Sequence, residues 1–251
     1  QNRHWIVWAK NTVMKKRFLF IALWGLTLSV AYSQKTVKDA NAVSRQVSGF
    51  HAIEISGGID LYLSQGNTEA VAVSAEYNED RDRIVTEVEN GVLKIYFEKK
   101  SLGINWRGGR KMKAYVSAKT IDALSASGGS DVQVDGTLNG SALHVSLSGG
   151  ADFKGRVTMN ELAFSASGGS DVSVSGKAGK LNLKASGGSD VHAYDLTSDY
   201  CTVSSSGGSD VYVTVNKEIK AEASGGSDVH YKGGAAVTSS KSGGSSVKKV
   251  G

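Results

Sequence analysis

Proline is absent from this chain of 251 residues, and cysteine occurs only once, as Cys201. A single cysteine excludes an intramolecular disulfide, so apolar burial and backbone hydrogen bonds must stabilise the fold. Cys201 lies among alternating apolar residues, and we predict a small buried side chain rather than a reactive thiol. Glycine, with 31 copies, recurs in pairs at regular positions, which excludes a disordered glycine-rich linker.

The chain has no excess charge of one sign outside its N-terminal segment. It carries 29 Lys and Arg against 24 Asp and Glu, a formal net charge of +5. Residues 1–33 contain five of these basic residues and no acidic residue, which leaves 24 of each sign in the remainder. The basic balance therefore gives no support to nucleic-acid binding.

Long hydrophobic runs are also lacking, since the longest, residues 18–31, is too short to cross a bilayer comfortably. It follows the basic start Met14-Lys15-Lys16-Arg17 and precedes Ala31-Tyr32-Ser33, an order typical of a secretory signal peptide cleaved before Gln34. We expect residues 1–33 to be this leader, with residues 1–13 an upstream mis-start and Met14 the true start. No transmembrane segment is expected after cleavage.

The pentapeptide Ser-Gly-Gly-Ser-Asp recurs through the second half of the chain, once with alanine as its fourth residue. Its aspartates follow one another at steps of 21, 19, 19, 20 and 18 residues. They are Asp131, Asp152, Asp171, Asp190, Asp210 and Asp228. A last copy begins at Ser242 and has Ser246 in place of the acid. A period near 19 is too short for a helix-pair repeat and is typical of one coil of a β-solenoid.

Apolar and polar residues alternate on both sides of each glycine pair. In one coil Leu181, Leu183 and Ala185 precede the pair, and Val191 and Ala193 follow it. This alternation predicts two short strands, each with one buried face, that meet at a glycine corner. The sequence thus predicts an all-β fold, a right-handed parallel β-helix with coils of about 19 residues. Equivalent residues of successive coils would form ladders with a spacing of about 4.8 Å.

Residues 34–120 lack the regular period and are predicted to form longer, irregular coils at the N-terminal end of the solenoid. Gly57-Gly58, between two alternating segments, is a degenerate copy of the corner. Asn90-Gly91 predicts a two-residue hairpin. We expect residues 34–251 to form a single solenoid domain, with its regular coils in residues 121–251.

The order of these motifs resembles a known family. Residues 50–66 read Phe-x-x-Ile-x-Ile-Ser-Gly-Gly-Ile-Asp-Leu-x-Leu-x-Gln-Gly, residues 90–95 read Asn-Gly-x-Leu-x-Ile, and Ser-Gly-Gly-Ser-Asp-Val arrays follow. Over residues 47–247 the chain resembles the auto-transporter adhesin family with a head GIN domain, with Asp60 where the Gly-Ile-Asn signature has asparagine. The resemblance implies a β-helical protein exported to the periplasm, outer envelope or exterior of a Gram-negative bacterium, with no established enzymatic activity.

The six repeat aspartates would form a ladder of carboxylates that repel one another, by about 1 kcal/mol per neighbouring pair in a watery setting. Hydrogen bonds or bound cations must offset this repulsion. The favoured interpretation is an Asx-type turn in which each carboxylate holds its own corner. The alternative is a calcium site on these aspartates, although the corners lack the third glycine of the calcium-binding nonapeptide repeat. No other cofactor is predicted.

The segment of residues 100–110 differs in composition from the rest. It contains Trp106, the only tryptophan after the leader, together with Arg107 and Arg110 and flanking glycines. An aromatic residue with arginines on such a loop is typical of a sugar or protein contact, so these three residues are predicted to bind a ligand. The alternative is that Trp106 folds back and closes the end of the solenoid.

Catalytic signatures are absent from the sequence. It contains no nucleophile elbow, phosphate loop or zinc spacing, and its glycine pairs precede strands rather than helices, which excludes a dinucleotide-binding motif. His144, His192 and His230 have no second ligand in their own coils and are interpreted as solvated surface. An aspartate in every coil is explained by the repeat, so it does not indicate a catalytic pair. No catalytic residue is predicted.

These observations predict an exported, non-enzymatic, adhesin-like module that binds glycan or protein at the cell surface through repeated polar faces. Weak contacts along such a face add by multivalency. Two alternatives remain open. One is a polysaccharide-active enzyme that uses Glu54, Asp60, Glu76 and Glu79. The other is a structural or sensory envelope component that acts as a homo-oligomer through the end of its solenoid.

Overall fold

The structure, a computed structural model, describes residues 39–98 and 111–251. The predicted leader and the predicted ligand-binding residues Trp106, Arg107 and Arg110 lie outside these ranges. The described part consists almost entirely of β-strands, with one short helix. None of its helices is long and apolar enough to span a membrane.

The N-terminal part contains eight strands and the helix. The strands are β1 (Val43–Arg45), β2 (Ala52–Ser56), β3 (Ile59–Gln65), β4 (Ala70–Ala75), β5 (Ile84–Glu89), β6 (Val92–Phe97), β7 (Met112–Ala118) and β8 (Ala123–Ser127). Helix α1 (Asn78–Arg81) lies between β4 and β5. The C-terminal part contains eight more strands. They are β9 (Val132–Ser148), β10 (Phe153–Ser167), β11 (Val172–Ser186), β12 (Val191–Ser205), β13 (Asp210–Ala223), β14 (Asp228–Lys232), β15 (Ala236–Lys241) and β16 (Ser246–Lys249).

The long strands β9 to β13 stack on one another in parallel, each paired with the equivalent strand of the next coil. One continuous ladder runs through Leu143, Leu162, Leu181, Cys201 and Ile219. The predicted β-solenoid with coils of about 19 residues is therefore confirmed. The glycine corners separate a sheet that precedes the corner from a sheet that follows it.

The inward side chains form one apolar core along the solenoid. Val145, Val191 and Val211 are fully buried, and the rings of Phe153 and Phe164 meet edge to face with centroids 5.2 Å apart. Burial of each such side chain contributes on the order of 1.5–3 kcal/mol to the free energy of folding. The described part of the chain is therefore stabilised by burial and not by disulfides. Cys201 is buried as predicted, and this burial raises the pKa of its thiol to about 12.

The N-terminal end of the solenoid is closed by antiparallel strands. Strand β6 pairs in parallel with β2 and β7 with β3, which adds one coil above the first corner. Beyond this coil, β5 pairs antiparallel with β6, and β4 pairs antiparallel with both β7 and β1. The hairpin between β5 and β6 turns at Asn90 and Gly91, whose φ angles are 51° and 79°. The predicted Asn-Gly hairpin is thus confirmed.

The C-terminal coil departs from the core pattern. Strand β15 pairs with the second half of β13, which places Ser239 beside Ala221 and Lys241 beside Ala223. Every residue of β15 is exposed. Polar and charged residues at the open edge disfavour the addition of a further strand, because an incoming chain would have to desolvate them.

The two glycines of a corner have different conformational requirements in the later coils. Gly207 has a φ of +79°, and a Cβ atom there would lie 2.7 Å from the carbonyl oxygen of Gly187. Gly208 has no left-handed φ, and its Cβ would meet that oxygen at 3.8 Å, an ordinary contact. Only the first glycine is therefore required by backbone geometry and by the close stacking of coils.

We expect Gly207→Ala to lower the free energy of unfolding by about 2 kcal/mol or more, because it adds left-handed strain and a clash between coils. Gly208→Ala, in the same corner, should change it by no more than about 0.5 kcal/mol. Urea denaturation followed by circular dichroism measures both. Equal destabilisation by the two variants would contradict this account of the corner.

Candidate binding face

The repeat aspartates form one ladder in which four of the carboxylates accept a backbone N–H from the next coil. The backbone N–H of Asp171 donates to Asp152 Oδ1 at 2.9 Å, and that of Asp190 donates to Asp171 Oδ1 at 3.2 Å. The same bond links Asp131 to Asp152 at 3.3 Å and Asp190 to Asp210 at 3.2 Å. The prediction that each carboxylate holds its own corner is therefore wrong, because the acceptor bridges two coils instead.

The ladder extends beyond the pentapeptide repeats at both ends. Asp60 continues it, because β3 pairs with β9 in the register that places Leu61 beside Val132. On its other side Asp60 is paired with Lys113 of β7. At the C-terminal end the Ser246 hydroxyl donates to Asp228 Oδ1 at 2.6 Å, and this bond lowers the pKa of Asp228. A cation and a hydroxyl thus flank the row of carboxylates.

The corner itself is closed by a buried serine that the sequence analysis did not single out. The Ser189 hydroxyl donates to the carbonyl oxygen of Ser186 at 3.0 Å and accepts the N–H of Ser170 at 3.3 Å. Its fully buried equivalents are Ser130, Ser170, Ser209 and Ser227, with Ala151 in the remaining coil. The signal was present, because period-two alternation turns the residue before each outward aspartate inward, where a hydroxyl needs hydrogen-bond partners.

A second outward ladder lies two residues beyond the aspartates in the last coils. The rings of His192, Tyr212 and His230 are stacked, with neighbouring centroids 5.1 Å apart and interplanar angles of 11° and 10°. Tyr194 packs edge-on against Tyr212 at 5.4 Å, and Lys232 Nζ lies 4.1 Å from the centre of the Tyr194 ring. The two histidines share a ladder, as the sequence indicated, and Tyr212 fills the coil between them.

Because residues i and i+2 of a strand point to the same side, the aromatic ladder adjoins the aspartate ladder. We call this surface the aspartate–aromatic face, and it comprises Asp190, His192, Tyr194, Asp210, Tyr212, Asp228, His230 and Lys232. It offers hydrogen-bond acceptors, stacked rings and an ammonium group on one side of the solenoid. This combination suits polar ligands that also carry apolar patches, such as sugar rings and aromatic side chains of proteins.

The part of the chain that the structure describes contains no cluster of side chains suited to bind a metal ion. There, no three His, Cys, Asp or Glu side chains are grouped so that they could hold an ion. The ladder supplies one carboxylate per coil, and in four of these carboxylates Oδ1 already accepts the N–H of the next aspartate. Calcium takes six to eight oxygen ligands, so its binding at the ladder stays a prediction of the sequence alone.

The four acidic residues considered for an enzyme are distributed over separate elements. Glu54 lies on β2, before the first corner, and Asp60 lies on β3, after it. Glu76 follows β4, and Glu79 belongs to α1. Glycoside hydrolysis requires two carboxylates that face each other across one cleft, so an enzymatic use of these residues stays a prediction of the sequence alone.

We expect Ser189→Ala to lower the free energy of unfolding by about 1–3 kcal/mol, because it leaves the buried N–H of Ser170 without its acceptor. Conversely, Ala151→Ser should raise it by about 1 kcal/mol, since a hydroxyl at this position can make the bonds that serine makes in neighbouring coils. Thermal and urea unfolding of both variants measures the difference. Destabilisation by Ala151→Ser would contradict the proposed role of the serine ladder.

The environment of Asp60 makes the stability of the fold depend on pH. Burial, followed by the negative charge of Asp131, raises the pKa of Asp60 above its ordinary value of 3.8. An acid whose pKa is higher in the folded state destabilises the fold when it ionises, so the cost is absent below pH 3.8 and grows as the pH rises through the folded pKa.

Asp60→Asn should therefore stabilise the fold at neutral pH and lose this advantage in acid. The amide oxygen can still accept the N–H of Asp131, which bonds the Asp60 carboxylate in the folded chain. Unfolding free energies measured from about pH 3 to about pH 7 test this expectation. A difference between variant and wild type that does not change with pH would contradict it.

Comparison with known proteins supports the fold. A crystal structure from Bacteroides fragilis described as a putative adhesin has a TM-score of 0.74 and 20% identity, covering 84% of this chain and 98% of that one. A putative adhesin from Parabacteroides distasonis has a TM-score of 0.64 and 20% identity, covering 83% of this chain and 96% of that one. At this identity the likeness shows the fold alone.

A third solved structure, also from Parabacteroides distasonis, is described as a putative lipid binding protein. It has a TM-score of 0.63 and 20% identity, covering 85% of this chain and 98% of that one. Among curated proteins, none matches the sequence. The family described as "Putative auto-transporter adhesin, head GIN domain" matches residues 49–235. Because this match spans most of the solenoid, the chain belongs to the auto-transporter adhesin family with a head GIN domain.

Proposed function

We propose that this protein is an exported, non-enzymatic module of the cell envelope that binds glycan or protein through its aspartate–aromatic face. One observation carries the proposal. Parallel stacking in register repeats the same polar and aromatic groups from coil to coil, with His192, Tyr212 and His230 in one continuous stack. A ligand with its own repeat can contact several coils at once, so that weak contacts add.

Membership in an adhesin family supports a binding role and an envelope location. The leader predicted in residues 1–33 supports export. One structural neighbour is described as a putative lipid binding protein. In this chain, packed side chains such as those of Phe153 and Phe164 occupy the core, so we place the ligand on the outer surface.

The test is a glycan array together with a panel of immobilised surface proteins, probed with wild type, Tyr212→Ala and Lys220→Ala. Tyr212→Ala removes the centre of the aromatic stack and should weaken binding about tenfold or more. Lys220 is exposed on the same strand, on the sheet that precedes the next corner, and its replacement should leave binding unchanged. Thermal unfolding of each variant verifies that the fold is retained.

The same assay separates the alternatives. Loss of binding in chelator and its recovery in millimolar calcium would support a calcium site on the aspartate ladder, whereas we expect equal binding in both. Release of reducing ends from a polysaccharide, abolished by Asp60→Ala, would replace the binding module with an enzyme. Light scattering of the purified protein tests the homo-oligomer. Equal binding by wild type and Tyr212→Ala would contradict the proposed face.

A further inference from the structure

The coils of the solenoid differ in length at the first bend after the corner. In β9, Leu138 comes six positions after Val132, whereas in β10 its partner Val157 comes only four positions after Phe153. Strand β11 has the same short bend as β10, and in β12 the bend contains one additional residue. The 21-residue and 20-residue steps of the repeat therefore correspond to longer bends in β9 and β12, with two short bends between them.

These unequal bends surround a surface groove of about 370 Å³ on the sheet that follows the corner. The longer coils border it with Gly136 of β9 and Asp195 of β12. The short coils between them contribute small residues to it, among them Gly155 and Ser173. A Cβ atom at Gly155 would lie 2.7 Å from Cγ2 of the buried Val134, so the short bend of β10 requires glycine at this position.

His192 lies at one end of the groove. Of its two neighbours in the ladder, only one stacks a ring on its imidazole. Tyr212 covers one face, while the ladder partner on the other side is Ser173, which has no ring. Beyond Ser173 the next ladder member is Lys154. The gap between His192 and Lys154 therefore spans two coil steps of about 4.8 Å each. A ligand ring placed over Ser173 would continue the stack at the spacing of the coils.

Positive charge is concentrated on the other side of this gap. Lys154 and Arg156 of β10 are both exposed and both line the groove. Within the described residues neither forms an ion pair with an acidic side chain, so both are available to an anion. Ser175 and Asp195 line the same groove. The serine hydroxyl can donate a hydrogen bond to a ligand hydroxyl group, and the aspartate carboxylate can accept one from it.

We infer that the groove binds one acidic sugar residue of a glycan, with its ring stacked on His192 over Ser173 and its anionic group paired with Lys154 or Arg156. This inference rests on the proposed binding function and specifies its ligand class. A pyranose ring presents C–H groups to an aromatic face and hydroxyls at its rim, which is the pattern that the groove complements. The uncharged serine in the ladder supplies the space, and the longer coils confine the ligand.

The test uses calorimetry with three linear polysaccharides as probes: a polyuronate, a sulfated dextran and neutral dextran. We expect the polyuronate to bind and neutral dextran not to bind. Binding of both anionic chains identifies negative charge as the recognised feature, whereas binding of the polyuronate alone identifies the carboxylate. Equal binding of neutral dextran, or no binding of either anionic chain, overturns the inference.

Two variants test the position of the site. Ser173→Tyr places a ring in the gap, at a position where Tyr212 is accommodated two coils away, and should abolish polyuronate binding without loss of thermal stability. Arg156→Ala should weaken binding about tenfold or more, because it removes one of the two cations. Lys184→Ala, an exposed lysine of β11 on the sheet before the corner, is the matched control and should bind like wild type.

The outcomes separate this inference from the proposed function. If Ser173→Tyr and Arg156→Ala both bind the polyuronate as wild type does, the groove is not the site and the inference fails. The proposed function survives that result if Tyr212→Ala still loses ligands found on the arrays. If neither array yields a ligand sensitive to Tyr212→Ala, the proposed function fails by itself.

Discussion

Backbone pairing between equivalent residues of successive coils is the constraint on which the whole structure depends. Parallel pairing in register places every residue beside its counterpart one coil away, at about 4.8 Å. The interior must then accept the same kind of apolar side chain repeatedly, and the corner must bring backbone against backbone. Gly207 shows the second requirement, because even a methyl group there would collide with Gly187. Stacking of the coils is by itself sufficient to explain the regularity of the sequence.

Stacking also brings like charges together, and the fold uses them. In the aspartate ladder the carboxylate of one coil accepts a backbone N–H of the next coil. A charged acceptor therefore satisfies a backbone donor at the corner, between one strand and the next. A charge-assisted bond of this kind offsets the repulsion between neighbouring carboxylates. The aspartates are therefore engaged in structure, while the buried serines close the corner from inside. The neighbouring outward positions carry the stacked rings of His192 and Tyr212.

The coils differ in length at the bends where the pairing of neighbouring strands is irregular. The bends after the corner contain the additional residues of β9 and β12, and there the strand pairing is irregular. Since few backbone hydrogen bonds are lost at such a bend, insertions cost little stability and can reshape the surface. The groove beside Lys154 and His192 results from this freedom.

The sequence by itself determined the coil period, the alternation of buried and exposed residues, the glycine corners and the Asn90-Gly91 hairpin, because each depends on local backbone geometry. It also placed His192 and His230 in one ladder. Only the tertiary structure decided where the Asp190 carboxylate points, that Asp60 joins the same ladder, and that antiparallel strands close the N-terminal end. These features depend on contacts between residues about 20 to 70 positions apart. The register of the strands that make these contacts is set by packing between coils, so a local sequence pattern does not predict it.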